Sequence, residues 1–151
     1  MIALIQRVTR ASVVVEDNII GEIKNGLLVF LGITHTDTSK TIEWLSNKIV
    51  GLRIFSDQDG KMNFSVKDLD ADILLVSQFT LYANVKKGNR PSFTDSASPS
   101  LAIPLYEQMI KALEEKLEKS IQTGQFGADM KIELLNNGPI TICIDTQNYG
   151  I

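Results

Sequence analysis

The chain has 151 residues, 44% hydrophobic and 22% charged, with a formal net charge of −3; that length fits one domain burying roughly two-thirds of its unfolded surface, and the composition excludes a disordered or fibrous chain. The negative balance excludes coating of nucleic acid by bulk attraction and leaves only placed basic contacts, while the single cysteine, Cys143, excludes an internal disulfide and a multi-cysteine zinc site. No apolar run approaches the roughly 20 residues of a membrane span, and the arginine in "MIALIQRVTR" interrupts what a signal peptide would keep apolar, so a cytoplasmic protein is expected.

Along the chain, "ALIQRVTRASVVVED" alternates well enough for one or two strands, "EDN" is a turn and "LLVFLGI" is a short apolar strand. From Thr38 to Leu52, the residues Ile42, Leu45, Ile49 and Leu52 recur at spacings of three and four, which predicts a helix capped by Thr38 or Ser39. "SDQDGK" is a turn, and "DILLVSQF" is the most apolar strand of the chain. The eighteen residues of "ANVKKGNRPSFTDSASPS" follow; so long a connection within a compact domain marks a functional or disordered loop. "LYEQMIKALEEKLEK" places Leu105, Met109, Ala112, Leu113 and Leu117 on one face of an amphipathic helix, with Pro104 in its first turn or kinking it. "TGQFGADM" is a second glycine-bearing loop, "KIELL" a strand, "NNGP" a turn and "ITICID" a final strand containing Cys143. There is no internal repeat and no linker, so this order predicts a single α+β or mixed α/β domain over residues 1–151 with helices packed against a mixed sheet.

Most familiar catalytic patterns are missing. His35 is the only histidine, so a Ser-His-Asp or Cys-His arrangement would have to use it, and its place between a strand end and a helix cap suits a surface residue better. No phosphate loop, dinucleotide fingerprint or zinc-peptidase motif is present, and no metal or cofactor is expected. Two polar clusters remain, "SQFTLY" with "KKGNRPSF" after it, and "NNGPIT". Taken singly they have plain readings: Ser77 and Thr80 as satisfied hydroxyls at a sheet rim, Lys86, Lys87 and Arg90 as solvated loop charges, and Asn136 to Pro139 as an ordinary turn.

Taken together, "IQRVTRASV", "GLLVFLGI", "KIVGLRIF", "GKMNFSV", "LLVSQFTLYA", "KKGNRPSF", "TGQFGADM" and "NNGPITI" are similar, over essentially the whole chain, to the D-aminoacyl-tRNA deacylase family. The one departure is Asn137, where the typical bacterial form has Asp. The resemblance implies a twisted, barrel-like mixed sheet and a homodimer that hydrolyses the ester between a D-amino acid and the 3′-terminal adenosine of tRNA. It implies that Ser77, Gln78, Phe79 and Thr80 line the catalytic site and that Phe126 and Met130 line the same pocket. Gly138 and Pro139 would enter the partner's pocket with a cis peptide bond and reject L-amino acids sterically. Lys86, Lys87 and Arg90 would meet the tRNA backbone; aminoacyl-tRNA is the expected partner, with neither DNA nor a membrane. An alcohol nucleophile at Thr80 would need an adjacent base, whereas backbone N–H groups around Phe79 and Thr80, aided by the substrate's own 2′-hydroxyl, would not. Two alternatives stay open: a related deacylase with a trans Gly-Pro bond acting on small L-amino acids, and a non-catalytic aminoacyl-tRNA-binding domain.

Overall fold

The computed structural model describes every residue from Met1 to Ile151. Strand β1 (Ile2–Val15) returns as β2 (Asn18–Ile23) through Glu16 and Asp17, whose φ angles of 48° and 62° make the two-residue left-handed turn that matches strand twist. Strand β3 (Gly26–Gly32) runs antiparallel to the first half of β1 and leads to helix α1 (Ser39–Gly51). The predicted apolar stripe of α1 is buried at Ile42, Leu45 and Ile49, and Thr38 is the residue that caps it. A small hairpin of β4 (Phe55–Ser56) and β5 (Met62–Phe64) precedes β6 (Asp72–Ser77), which pairs parallel to β3.

The main sheet has the order β2-β1-β3-β6-β7, with β7 (Gln122–Thr123) parallel to β6 and the long β8 (Lys131–Asp145) on the other side of β1. Its two ends nearly meet. A side chain at Gly21 in β2 would come within 2.8 Å of the Thr123 carbonyl oxygen in β7, so the missing Cβ lets the sheet curl almost into a barrel. Curling gives the central strands two buried faces. Ile73 and Leu75 join the larger core beneath α1 and α2 (Pro99–Leu117), while Leu74 and Val76 fill a smaller cluster with Val8, Val13 and Leu28. Two-sided burial explains why "ILLV" is continuously apolar where a half-exposed strand would alternate. Each fully buried leucine there contributes roughly 1.5–3 kcal/mol, which a polar residue would forfeit. Tyr106 of α2 fastens the layers by donating its hydroxyl to the Leu75 carbonyl at 2.8 Å; burial pushes that hydroxyl far above the usual tyrosine range, so it remains a donor.

Two expectations are corrected, the start of α2 and the turn at residues 136 to 139, and the long loop proves ordered, which leaves its functional reading standing. Helix α2 begins at Pro99, six residues before Leu105, because Ser98 and Pro99 suit a helix start better than the segment after Pro104. Pro104 lies inside the helix, where one backbone donor is lost while nearby Ala102 and Leu105 are buried. The long connection after β6 is ordered by its pairing: Asn84 and Ser92 exchange backbone hydrogen bonds of 2.8 and 2.9 Å, and Thr34 bridges to Ser96. Finally, residues 136 to 139 do not reverse the chain. Both flanking segments pair with one continuous β1, Asn136 opposite Val8 and Thr141 opposite Gln6, so five steps of β8 face two of β1 and the surplus bulges outward.

Candidate active site

β6 ends at Ser77, whose side lies on the same face as Ile73 and Leu75, at the point where the helices no longer cover the sheet. The next residues wind into a 3-10 turn, Phe79–Tyr82. They border a cavity of about 270 Å³ with Ser77, Gln78 and Phe79 on one wall and Phe126 and Met130 on another. Ser96, Ala97 and the α2 residue Ala102 also line it, as does Asp129, whose carboxylate accepts from the Lys131 ammonium at 2.6 Å. The structure therefore brings together five of the eight residues expected around the catalytic centre and the chiral gate.

Thr80 is not part of the lining. It is exposed one step along the 3-10 turn, and the Gln78 amide donates to its hydroxyl. His35 is exposed, with Nε2 3.0 Å from the Thr94 carbonyl, and Cys143 lies on β8 opposite Leu4, so neither stands beside Thr80 as a base in the cavity wall. Phe79 is 56% exposed and meets the edge of Phe93 with ring centroids 5.0 Å apart. The backbone N–H groups of Phe79 and Thr80 open the 3-10 turn and have no partner within it. Such a pair of donors at a cavity rim suits stabilisation of a developing oxyanion.

Gly138 and Pro139 lie in the β8 bulge, outside the wall of this cavity, joined by a cis peptide bond. The bulge is braced from within. Arg7 Nε donates to the Asn137 carbonyl at 3.2 Å and its Nη1 to the Ile54 carbonyl at 2.5 Å, while the Asn136 amide donates to the carbonyls of Ile140 and Arg7 at 3.1 and 3.3 Å. Asn137 engages Arg7 through its backbone, so that contact is the same for Asn as for Asp. A side chain at position 138, where φ is 125°, would come within 2.8 Å of the Arg7 guanidinium, which makes glycine a requirement of both space and backbone.

Two further residues at the site, Arg7 and Phe93, are placed there by the structure. The signal for Arg7 was present: Ala3 and Ile5 are buried on its face of β1, and the alternation calls for another apolar residue there. Phe93 closes the segment "KKGNRPSF", but its contact with Phe79 arises only through the fold. Lys86, Lys87 and Arg90 are all exposed on the loop between Asn84 and Ser92, beyond the cavity.

A nearly closed mixed sheet with two helices on one face and an amphipathic cavity at the end of its central strand defines a small α+β domain carrying one site. Comparison with known proteins gives the family. The family model described as D-Tyr-tRNA(Tyr) deacylase matches residues 4–145, and the chain belongs to that family, whose chemistry is hydrolysis of carboxylic ester bonds. It is 58% identical over 148 residues to a D-aminoacyl-tRNA deacylase of Cytophaga hutchinsonii, covering 98% of this chain and 99% of the relative. It is 54% identical over 151 residues to that of Fusobacterium nucleatum, covering 100% and 99%. Among solved structures, one described as c-Myc DNA Unwinding Element Binding Protein superposes with a TM-score of 0.90 at 42% identity, over 96% of this chain and 98% of the other. A probable eukaryotic D-amino acid tRNA deacylase shares the fold with a TM-score of 0.83 at 15% identity, over 95% and 97%.

Proposed function

We propose that this enzyme hydrolyses the ester joining a D-amino acid to the 3′-terminal adenosine of tRNA, releasing both, and acts likewise on glycyl-tRNA. The observation that carries the reading is the cavity at the end of β6, where Ser77, Gln78 and Phe79 face Phe126 and Met130. In this reading the ester carbonyl lies against the Phe79 and Thr80 amides, and the adjacent 2′-hydroxyl of the substrate orients the attacking water. Thr80 is not the nucleophile: its hydroxyl accepts from Gln78 and has no base beside it.

The functional unit is a homodimer. Gly138 and Pro139 of one copy reach into the cavity of the other, and backbone at that position cannot rotate aside for an L side chain. Selection is then exclusion of the wrong enantiomer, with little preference among D side chains and none against glycine. Support for a second copy comes from β8, where Leu134 and Leu135 beside the bulge are 36% and 50% exposed. Lys86, Lys87 and Arg90 contact the phosphate backbone leading to the site. No helix is long and apolar enough to cross a membrane, and the enzyme works in the cytoplasm, where charged tRNA is found.

The test is hydrolysis of D-tyrosyl-, L-tyrosyl- and glycyl-tRNA by catalytic amounts of protein. Release from the D and glycyl esters with the L ester spared supports the reading. Equal release from D and L removes the gate, and no release at all removes the enzyme activity.

A further inference from the structure

A second cavity, of about 740 Å³, lies against the first and is left unused by the reaction just described. The wall between them is the pairing of Thr34 with Ser96: Ile33 and Ser96 face the first cavity, Thr34 and Asp95 the second. The partition is pinned by the Thr34 hydroxyl donating to the Asp95 carbonyl at 2.5 Å and by the Ala97 amide donating to the Ile33 carbonyl at 2.9 Å.

The side chains around this second cavity have unspent hydrogen-bonding capacity of both signs. The Lys86 ammonium and the Asp95 carboxylate both border it, yet neither is in an ion pair with the other or with any other residue. Asp145 uses one carboxylate oxygen to accept from the Gln147 amide at 3.1 Å, which leaves the other free. Tyr82, also in the wall, has a buried hydroxyl with no partner. Burial, with the charges of Asp37 and Asp145, holds that hydroxyl protonated far above the usual tyrosine range, behind the cavity surface. An anion alone would leave the two carboxylates opposed to it, and a cation alone would leave the ammonium opposed. A ligand carrying an amino group at one end and a phosphate at the other answers both.

We infer that this cavity binds the nucleotide preceding the terminal adenosine, the cytidine of the tRNA 3′ end, with its exocyclic amine on Asp95 or the free oxygen of Asp145 and its phosphate on Lys86. The inference rests on the deacylase reading of the first cavity. Carboxylates accept from the cytosine amino group, and uracil presents an acceptor at the same position, so the site would discriminate between the two. It would also give the enzyme a grip on the single-stranded end that is common to every tRNA, independent of the amino acid attached.

The experiment compares D-tyrosyl esters of adenosine, of the dinucleotide CpA and of UpA, with the wild-type protein and Asp95→Asn. The CpA ester should have a KM lower than the UpA ester by about tenfold, with similar kcat. Asp95→Asn should narrow that ratio towards one. Equal KM values for CpA and UpA with the wild type would overturn the inference while leaving the deacylase reading intact. So would a loss in Asp95→Asn as large for the adenosine ester as for the CpA ester, since it would show Asp95 acting through the fold. Failure to hydrolyse any of the three esters would instead remove the reading on which the inference rests.

Discussion

The guanidinium of Arg7 holds the backbone of Asn137, with Nε 3.2 Å from its carbonyl, and in the same stroke reaches Ile54, tying the β8 bulge to the segment after α1. Arg7 is only 8% exposed, so these bonds are made out of bulk water. Lysine keeps the charge but cannot aim two donors in divergent directions. In Arg7→Lys, the bulge carrying Gly138 and Pro139 should lose its fixed place, with stability falling by about 1–3 kcal/mol. The ratio of D- to L-tyrosyl-tRNA hydrolysis should drop more than the D rate itself. Both rates falling in parallel would show that Arg7 serves only the fold.

The Thr80 hydroxyl accepts from the Gln78 amide, and no base is among its hydrogen-bond partners. Thr80→Ala should keep substantial activity, within about tenfold of wild type, because the proposed oxyanion donors are backbone. A D-aminoacyl-tRNA ending in 2′-deoxyadenosine should lose at least about 100-fold, the scale of a missing catalytic group. Single-turnover rates for both would decide; abolished turnover in Thr80→Ala with binding intact would restore a covalent route.

Lys86, Lys87 and Arg90 sit on the exposed loop between Asn84 and Ser92. Alanine at each should raise KM for D-aminoacyl-tRNA and leave kcat nearly unchanged. The slope of log affinity against log salt should become shallower by about one per phosphate contact removed. A slope unchanged from wild type in all three variants would place the tRNA elsewhere.

The turn between β1 and β2 forces Glu16 and Asp17 into left-handed backbone, with φ of 48° and 62°. Non-glycine residues adopt that region at a cost, and Asn-Gly is the pair such turns favour. Replacing Glu16-Asp17 with Asn-Gly should raise stability by about 1 kcal/mol, seen as a Tm higher by about 2–4 °C.

Asp68 accepts from the backbone N–H and hydroxyl of Ser65 at 2.8 and 2.7 Å, and these bonds hold its carboxyl below the usual range. A depressed pKa stabilises the fold above the unfolded value, and the contribution disappears as pH falls through the folded value. Asp68→Asn should therefore lower Tm near neutral pH and converge with wild type in acid. A Tm difference that stays constant from neutral pH to pH 3 would assign the effect to something other than ionisation.

How much was legible in the sequence varies with how local the cause is. Both helices, the turn at Glu16 and Asp17 and the apolar β6 follow from periodicity and turn chemistry. Ser77, Gln78 and Thr80 interrupt an apolar run, and the structure puts the first two in the cavity wall where the helical cover ends while Thr80 lies outside it. The apolar stripe from Leu105 onward predicts α2 but not its first turn, which Ser98 and Pro99 open in a stretch that reads as loop from its Ser and Pro content.

By itself, then, the sequence determined the class of domain, the position of its most informative strand and, through its family motifs, the chemistry to look for. Tertiary structure decided what depends on distant partners. Asn136 to Pro139 has the composition of a reversing turn, yet it bulges from a continuous strand because β1 is long enough to pair with both of its flanks. Arg7 acquires its role only when β1 brings it beneath that bulge, and Phe93 only when its loop folds back on Phe79. A backbone amide, a buried guanidinium and an aromatic edge more than ten residues apart in sequence share no local signal; their energies exist only once the chain has closed.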